Sequence, residues 1–176
     1  MSIAETAGLA ARSRPLTADR AVGRWLLVLS AMVLGQVSLG AITRLTDSGL
    51  SIMEWRPILG AIPPMSDAEW HRVFDIYRQI AEYKLVNADM TLDGFKAIFW
   101  WEYLHRLWGR LIGVAFLLPF LWFWMRGYLR NGRARRLIGI FFLGGLQGIM
   151  GWIMVRSGFA DRTDVSQYRL VAHLIL

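Results

Sequence analysis

The sequence predicts an all-α integral membrane protein, and three observations carry that prediction. Of its 176 residues 55% are hydrophobic and only 19% charged, with nine Trp and nine Phe, a balance too apolar for a soluble domain of this size. Apolar runs of membrane-spanning length recur at 25–42, 104–124 and 137–155. Between the second and third runs, the connection 126–136 holds Arg126, Arg130, Arg133, Arg135 and Arg136 without one acid, the pattern of a cytoplasmic loop. The formal net charge of +7 therefore reads as membrane topology. Nucleic-acid binding is set aside, because the basic residues alternate with apolar runs and form no stripe on a polar domain. The chain has no cysteine, which excludes disulfides, zinc-thiolate sites and thiol catalysis.

Residues 1–24 form a basic tail with Arg12, Arg14 and Arg20, expected in the cytoplasm. The run 25–42 outlasts a usual signal core and lacks a good small-x-small cleavage site, so it reads as the first transmembrane helix, ~27 Å long at ~1.5 Å per residue. An outer loop over 43–97 follows. In it Asp47, Ser48 and Gly49 make a turn, and Pro57, Pro63 and Pro64 interrupt regular structure. Ser66 or Asp67 caps an amphipathic helix over about 67–80, with Trp70, Val73, Phe74 and Tyr77 on one side, suited to the bilayer surface or to capping the bundle. A second capped segment begins near Thr91 and leads into helix two, 98–125, where Pro119 predicts a kink. Helix three spans 137–155. Its Gly139, Gly144, Gly145, Gly148 and Gly151 read as small residues that let helices approach closely. A fourth helix, 165–176, is about half long enough to cross, so the natural protein is expected to continue. The expectation is a bundle of four transmembrane helices with the last truncated, amino terminus inside and long first loop outside.

One internal echo suggests a duplicated plan. Gln36-x-x-x-Gly40 with Arg44 and Ser48-Gly49, near the end of helix one, is matched by Gln147-x-x-x-Gly151 with Arg156 and Ser157-Gly158, near the end of helix three. Each is followed by a helix that enters from outside and bears a histidine.

The chemistry concentrates where helix two enters the membrane. Glu102 and His105 are three residues apart and share a helical face, with Arg106 one turn beyond Glu102, and ionisable groups in such places are functional candidates. Of the three histidines, His71 lies in the outer amphipathic helix and reads as solvated. His105 and His173 each lie seven residues inward of their helix's outer entry, at Ile98 and Ser166, which is ~10 Å deep. Buried imidazoles need a hydrogen bond or a metal. Zinc would want more donors than two histidines and Glu102, whereas haem iron brings four nitrogens and asks only for axial ligands. Gly109 and Gly113 would leave a flat strip beside His105 for such a ring. The alternative is that these glycines pack helices and the histidines bond across the bundle.

The stretch Gly40-Ala41-Ile42-Thr43-Arg44-Leu45-Thr46-Asp47-Ser48-Gly49-Leu50-Ser51-Ile52, then Glu54-Trp55, Pro57 and the Gly60-Ala61-Ile62-Pro63-Pro64 turn, lead to Phe99-Trp100-Trp101-Glu102-Tyr103-Leu104-His105-Arg106. Together with Val165-Ser166-x-Tyr168-Arg169-Leu170-x-x-His173-Leu174, they resemble the haem A synthase family of bacterial and mitochondrial type. The resemblance implies half of an eight-helix duplicated fold, each half with a histidine pair able to hold haem. This amino-terminal half would receive haem O and release haem A, with a haem b in the half beyond this chain. The reaction would oxidise a ring methyl of haem O to the formyl of haem A, with water as the oxygen source.

Carried over by position, the resemblance makes His105 and His173 axial ligands of haem iron, Glu102 the catalytic acid and Arg169 a partner for a haem propionate. The duller roles are a Glu102–Arg106 salt bridge and an interfacial anchor at Arg169. Some members carry a cysteine pair in the first outer loop, and this chain has none. Without helices five to eight, this chain alone is expected to be catalytically incomplete. The implied partners are haem O, membrane lipid, a haem O synthase and terminal oxidase assembly proteins, with a homo-oligomer admitted. The start of the chain lacks a convincing transit peptide, so a bacterial plasma membrane is favoured over a mitochondrial inner membrane. Two other functions fit the same histidines: a b-type cytochrome that only passes electrons, and a non-catalytic haem-binding assembly module.

Overall fold

The computed structural model describes residues 3–54, 59–159 and 165–176, and the side chains of 3–16 and of residue 59 are outside that description. Trp55 and Pro57 of the sequence motif therefore lie outside the described residues. The described residues are all-helical: α1 (Ile3–Leu45), a 3-10 turn (Leu59–Ala61), α2 (Asp67–Tyr77), α3 (Ala81–Leu85), α4 (Leu92–Met125), α5 (Arg133–Arg156) and α6 (Gln167–Ile175). Three stretches are long and apolar enough to cross a membrane, Thr17–Leu45, Leu92–Met125 and Arg133–Arg156. None of the most apolar part of α5 is buried within the chain, and Phe142, Leu143, Ile149 and Ile153 along it stay exposed. Such a surface requires lipid or further helices to cover it. α6 is too short to cross.

The sequence places the first helix at 25–42, but α1 is helical from Ile3. Its early part is rich in Ala, Leu and Arg, strong helix formers that need no apolar core to coil. At the other end, Ser48 N–H donates to the Thr43 carbonyl and Asp47 takes a positive φ of 49°, so the turn read at Asp47, Ser48 and Gly49 closes the helix.

The chain divides into two compact units, Met1–Gly35 with Leu111–Phe142, and Gln36–Arg110 with Leu143–Leu176. In the first, Val22, Trp25 and Leu29 of α1 are buried with Phe116, Phe120 and Phe123 of α4, and with Leu129 and Leu137. Trp25 also answers a problem set by Pro119, which lies within α4. Lacking an N–H, Pro119 leaves the carbonyl of Ala115 without its helical donor. The Trp25 indole N–H donates to that carbonyl at 2.8 Å. A polar group that lipid could not satisfy is thereby satisfied. The connection after α4 turns through Gly127, Asn131 and Gly132, all at positive φ, and Arg133 is ion-paired to Asp19.

In the second unit, α2 begins with a capping box. Ser66 Oγ accepts from the Glu69 N–H at 3.3 Å, and the Glu69 carboxylate accepts from the Met65 N–H at 2.7 Å. Its apolar face, Trp70, Phe74 and Tyr77, is buried against Phe95, Phe99 and Tyr103 of α4, with Leu50, Ile80 and Val165 completing the cluster. Phe95 and Tyr77 lie 5.1 Å apart between ring centroids, and Trp70 meets Phe99 edge-on at 4.9 Å. Thr91 Oγ1 accepts from the Gly94 N–H at 3.2 Å and starts α4 where the sequence expects a cap. The Tyr103 hydroxyl donates to the Ala61 carbonyl at 2.7 Å, tying the outer segment to the helix that carries Glu102 and His105.

Candidate functional site

All the candidate residues lie in the second unit. Glu102, only 2% exposed, sits one turn outward of His105 on α4. One carboxylate oxygen accepts from the Ser51 hydroxyl and from the Ile52 N–H, both at 2.7 Å. The other is ion-paired to Arg106, which also donates to the Ile52 carbonyl at 2.9 Å. The i,i+4 pair is thus made, and with it Glu102 clamps the chain after α1 onto α4. The sequence hides this clamp, because Ser51 and Ile52 are about fifty residues away. Three donors thus converge on this one carboxylate.

His105 on α4 and His173 on α6 belong to the same compact unit. Each meets a glutamine and a glycine from the preceding long helix. Against His105, the Gln36 amide nitrogen lies 3.2 Å from Nδ1, 3.4 Å from Nε2 and 3.3 Å from the histidine's own carbonyl. A Cβ on Gly40 would stand 3.0 Å from the ring's Cε1. On the other side, Gln147 donates to the His173 carbonyl at 2.9 Å, and a Cβ on Gly151 would stand 3.4 Å from His173 Cε1. The sequence echo Gln-x-x-x-Gly is therefore a pair of histidine seats. Sequence reasoning found the pattern and did not join it to the histidines.

Among the described residues, a Cβ on Gly139, Gly144, Gly145 or Gly148 would meet nothing within 4 Å, so these glycines serve no close approach within this chain. A Cβ on Gly109 would touch the Gln36 amide at 3.5 Å, and one on Gly113 would meet nothing. His71 is exposed on α2, its Nδ1 2.8 Å from the Asp67 carbonyl. Arg169 is exposed on α6.

A basic cleft of about 290 Å³ that the sequence did not reveal opens in the same unit, lined by Arg106, the residue after His105, and by Arg156 with Ile52, Met53, Trp152 and Phe159. The Arg156 guanidinium lies 5.1 Å from the Trp152 ring centroid. Glu102 offsets the charge of Arg106, and Arg156 supplies a cation of its own. Deeper in the outer segment, Glu82 is buried, accepts from the Tyr77 hydroxyl at 3.4 Å, and is pushed by burial up to about 7.

These residues fit a haem better than a lone metal ion. Among the described residues no group of three or more His, Cys, Asp or Glu could hold a metal ion, and Glu102 is already committed to its own donors. Two imidazoles, one with a buried Nδ1 lacking any partner, next to glycine-cleared ring edges and a basic cleft, suit a ligand that supplies the remaining donors and carries carboxylates.

The family described as "Cytochrome oxidase assembly protein" matches residues 23–176. Among curated relatives, the "Heme A synthase" of Rhodospirillum centenum is 58% identical over 161 residues, covering 92% of this chain and 43% of that protein. That of Maricaulis maris is 56% identical over 158 residues, covering 90% and 46% respectively. That of Rhodopseudomonas palustris is 53% identical over 166 residues, covering 94% and 45%. The chain spans less than half the length of these relatives. No solved structure matches it.

Proposed function

This chain belongs to the family of cytochrome oxidase assembly proteins, and from that premise we propose that it is the haem O-binding, amino-terminal half of a haem A synthase, an oxidoreductase of the membrane. The observation that carries the reading is the pair of histidines on α4 and α6, each seated by a glutamine and a glycine of the preceding long helix. Relatives more than half identical to this chain over the aligned residues are named "Heme A synthase". In this reading His105 and His173 are the axial ligands, and haem, when bound, supplies the iron and the ring methyl that is oxidised to a formyl group.

The chain's own residues then divide the work. His105 and His173 fix the macrocycle between α4 and α6. Arg156 and Arg106 offer the cleft to the propionates, and Arg169 adds a cation one turn outward of His173. Glu102 contributes a fixed negative charge one turn outward of His105, able to stabilise positive charge that develops on the substrate or to take a proton at a carboxylate oxygen. A second reading of Glu102 is favoured by its bonds to Ser51, Ile52 and Arg106: it holds the outer segment in place and does no chemistry. Haem O would arrive from a haem O synthase, and the product would serve terminal oxidase assembly. The five-arginine connection supports an orientation with the amino terminus and that loop in the cytoplasm of a bacterial host, and the histidine seats near the outer face of its plasma membrane.

The test is to express the complete reading frame that contains this chain with a haem O synthase, in a host that makes no haem A, and to identify the extracted haems. Haem A is expected, and its absence refutes the function. His105→Ala and His173→Ala should each abolish the low-spin bis-histidine spectrum of this half, and an unchanged spectrum refutes the ligand assignment. Glu102→Ala should retain haem O and lose haem A, whereas normal haem A production leaves Glu102 only its structural part.

A further inference from the structure

We propose that Gln36 and Gln147 are positioning residues that fix the ring tautomer and orientation of His105 and His173, an inference that rests on the axial-ligand reading above. A neutral imidazole that gives one nitrogen to iron keeps its proton on the other, and in a buried site that N–H needs an acceptor. The unsatisfied atoms of this unit are complementary in that sense. Gln36 Oε1, Gln147 Oε1 and His173 Nδ1 are all buried and without a hydrogen-bond partner. Two of them belong to amides, of which Gln36 meets the His105 ring and Gln147 bonds the His173 carbonyl, and the ring nitrogen belongs to His173.

The Gln36 amide is nearly symmetric in shape, so a half-turn about its last bond exchanges its N and O ends, at the cost of the 3.3 Å bond to the His105 carbonyl. With Gln36 Oε1 turned to the ring, His105 would donate from Nδ1 and keep the Nε2 lone pair for iron, while Gln147 keeps its bond to the His173 carbonyl and leaves its free Oε1 as the acceptor for the unpartnered His173 Nδ1. Gln36 is already 3.2 Å from His105 Nδ1, within reach of that bond. The glycine one turn after each glutamine belongs to the same device. Gly40 and Gly151 clear the Cε1 edge, leaving the amide to set the ring's rotation. One arrangement built twice, at the same spacing on two helices, is hard to attribute to packing alone.

The experiment loads the full chain with haem b in detergent and compares wild type with Gln36→Leu, Gln147→Leu and the conservative Gln36→Glu and Gln147→Glu. The Leu variants should keep the low-spin bis-histidine spectrum, release haem about 10–100-fold more readily, and raise the midpoint potential, because an imidazole without an acceptor is a weaker donor to ferric iron. A tenfold loss of ferric over ferrous preference corresponds to about 59 mV. The Glu variants, which restore an acceptor oxygen, should return the potential to the wild-type value or below it. A purely structural glutamine would weaken binding without this opposed response. Wild-type and Leu potentials that coincide overturn the inference while leaving the ligand assignment intact. A wild-type chain without a bis-histidine spectrum, or one whose spectrum survives His105→Ala and His173→Ala, overturns the ligand reading and this inference with it.

Discussion

Gly40 and Gly151 occupy equivalent places in the two seats, yet alanine should have opposite effects at them. Comfortable carbon contacts lie at about 3.5–4.0 Å. A Cβ at Gly40 would stand 3.0 Å from His105 Cε1, at least ~0.5 Å too close, while one at Gly151 would stand 3.4 Å from His173 Cε1, nearly ordinary contact. The His105 ring has little room to yield, since the Gln36 amide lies within 3.4 Å of both its nitrogens. Overpacking of this kind costs about 1–3 kcal/mol. Replacing glycine by alanine inside a helix returns about 1 kcal/mol. Gly40→Ala should therefore be destabilising by ~0–2 kcal/mol and displace the ring. Gly151→Ala should be neutral or stabilising by up to ~1 kcal/mol. Gly139→Ala, where a Cβ meets nothing, reports the propensity gain alone. Equilibrium unfolding of the three purified variants in mixed micelles, read with their haem-loaded spectra, measures both effects. The reasoning fails if Gly40→Ala is as stable as Gly151→Ala, or if the spectrum changes at Gly151 and not at Gly40.

Other perturbations address the frame around the seats. Trp25→Phe removes the donor to the Ala115 carbonyl and should cost about 1–3 kcal/mol beyond lost packing. Pro119→Ala, which returns a helical N–H to that carbonyl, should shrink that cost, and a double-mutant cycle with no coupling would show the bond to be idle. Glu82 titrates near 7 when folded, raised by burial and further by the Glu102 and Asp47 charges, against an ordinary value of 4.5. The folded state thus binds the proton more tightly. The outer segment should be most stable below pH ~4.5 and lose about 3 kcal/mol as pH rises through 7, levelling off above it. Hydrogen exchange over 66–91 should show this slope in wild type and a flat profile in Glu82→Gln. An unchanged slope in the variant would assign the effect to another group.

What could be read in advance follows the range of the forces involved. Membrane-length apolar runs and the Ser66 and Thr91 caps are local signals, and α2, α4 and α5 form over the segments those signals mark. The start of α1 was missed because helix propensity without apolar periodicity leaves no boundary to see. The five-residue α3 was missed because Glu82, Tyr77 and Asn87 define it by contacts among themselves. At the site, the Glu102–Arg106 pair follows from i,i+4 spacing. The Ser51 and Ile52 donors that complete it come from the far side of a loop, and nothing in Glu102's own neighbourhood announces them.

The repeat shows why a pattern can be visible while its meaning is not. Gln36 and His105 are 69 residues apart, whereas Gln147 and His173 are 26 apart, so no fixed period relates the two seats. The Gln-x-x-x-Gly spacing survives because it lies within one helix, where i and i+4 must share a face. The glutamine-to-histidine spacing is free to drift, because it crosses the outer connection and only the helices fix where both ends meet. In the first hairpin that connection has grown to contain α2, α3 and the aromatic cluster on α4. In the second it is short. The extra segment is attached through Tyr103 to Ala61 and through Glu102 to Ser51 and Ile52, that is, to the one turn of α4 that precedes His105. Its polar ties therefore bear on His105, whereas toward His173 it has the packing of Val165, two residues before α6. Loosening it should disturb His105 first, and His105 has the tighter seat.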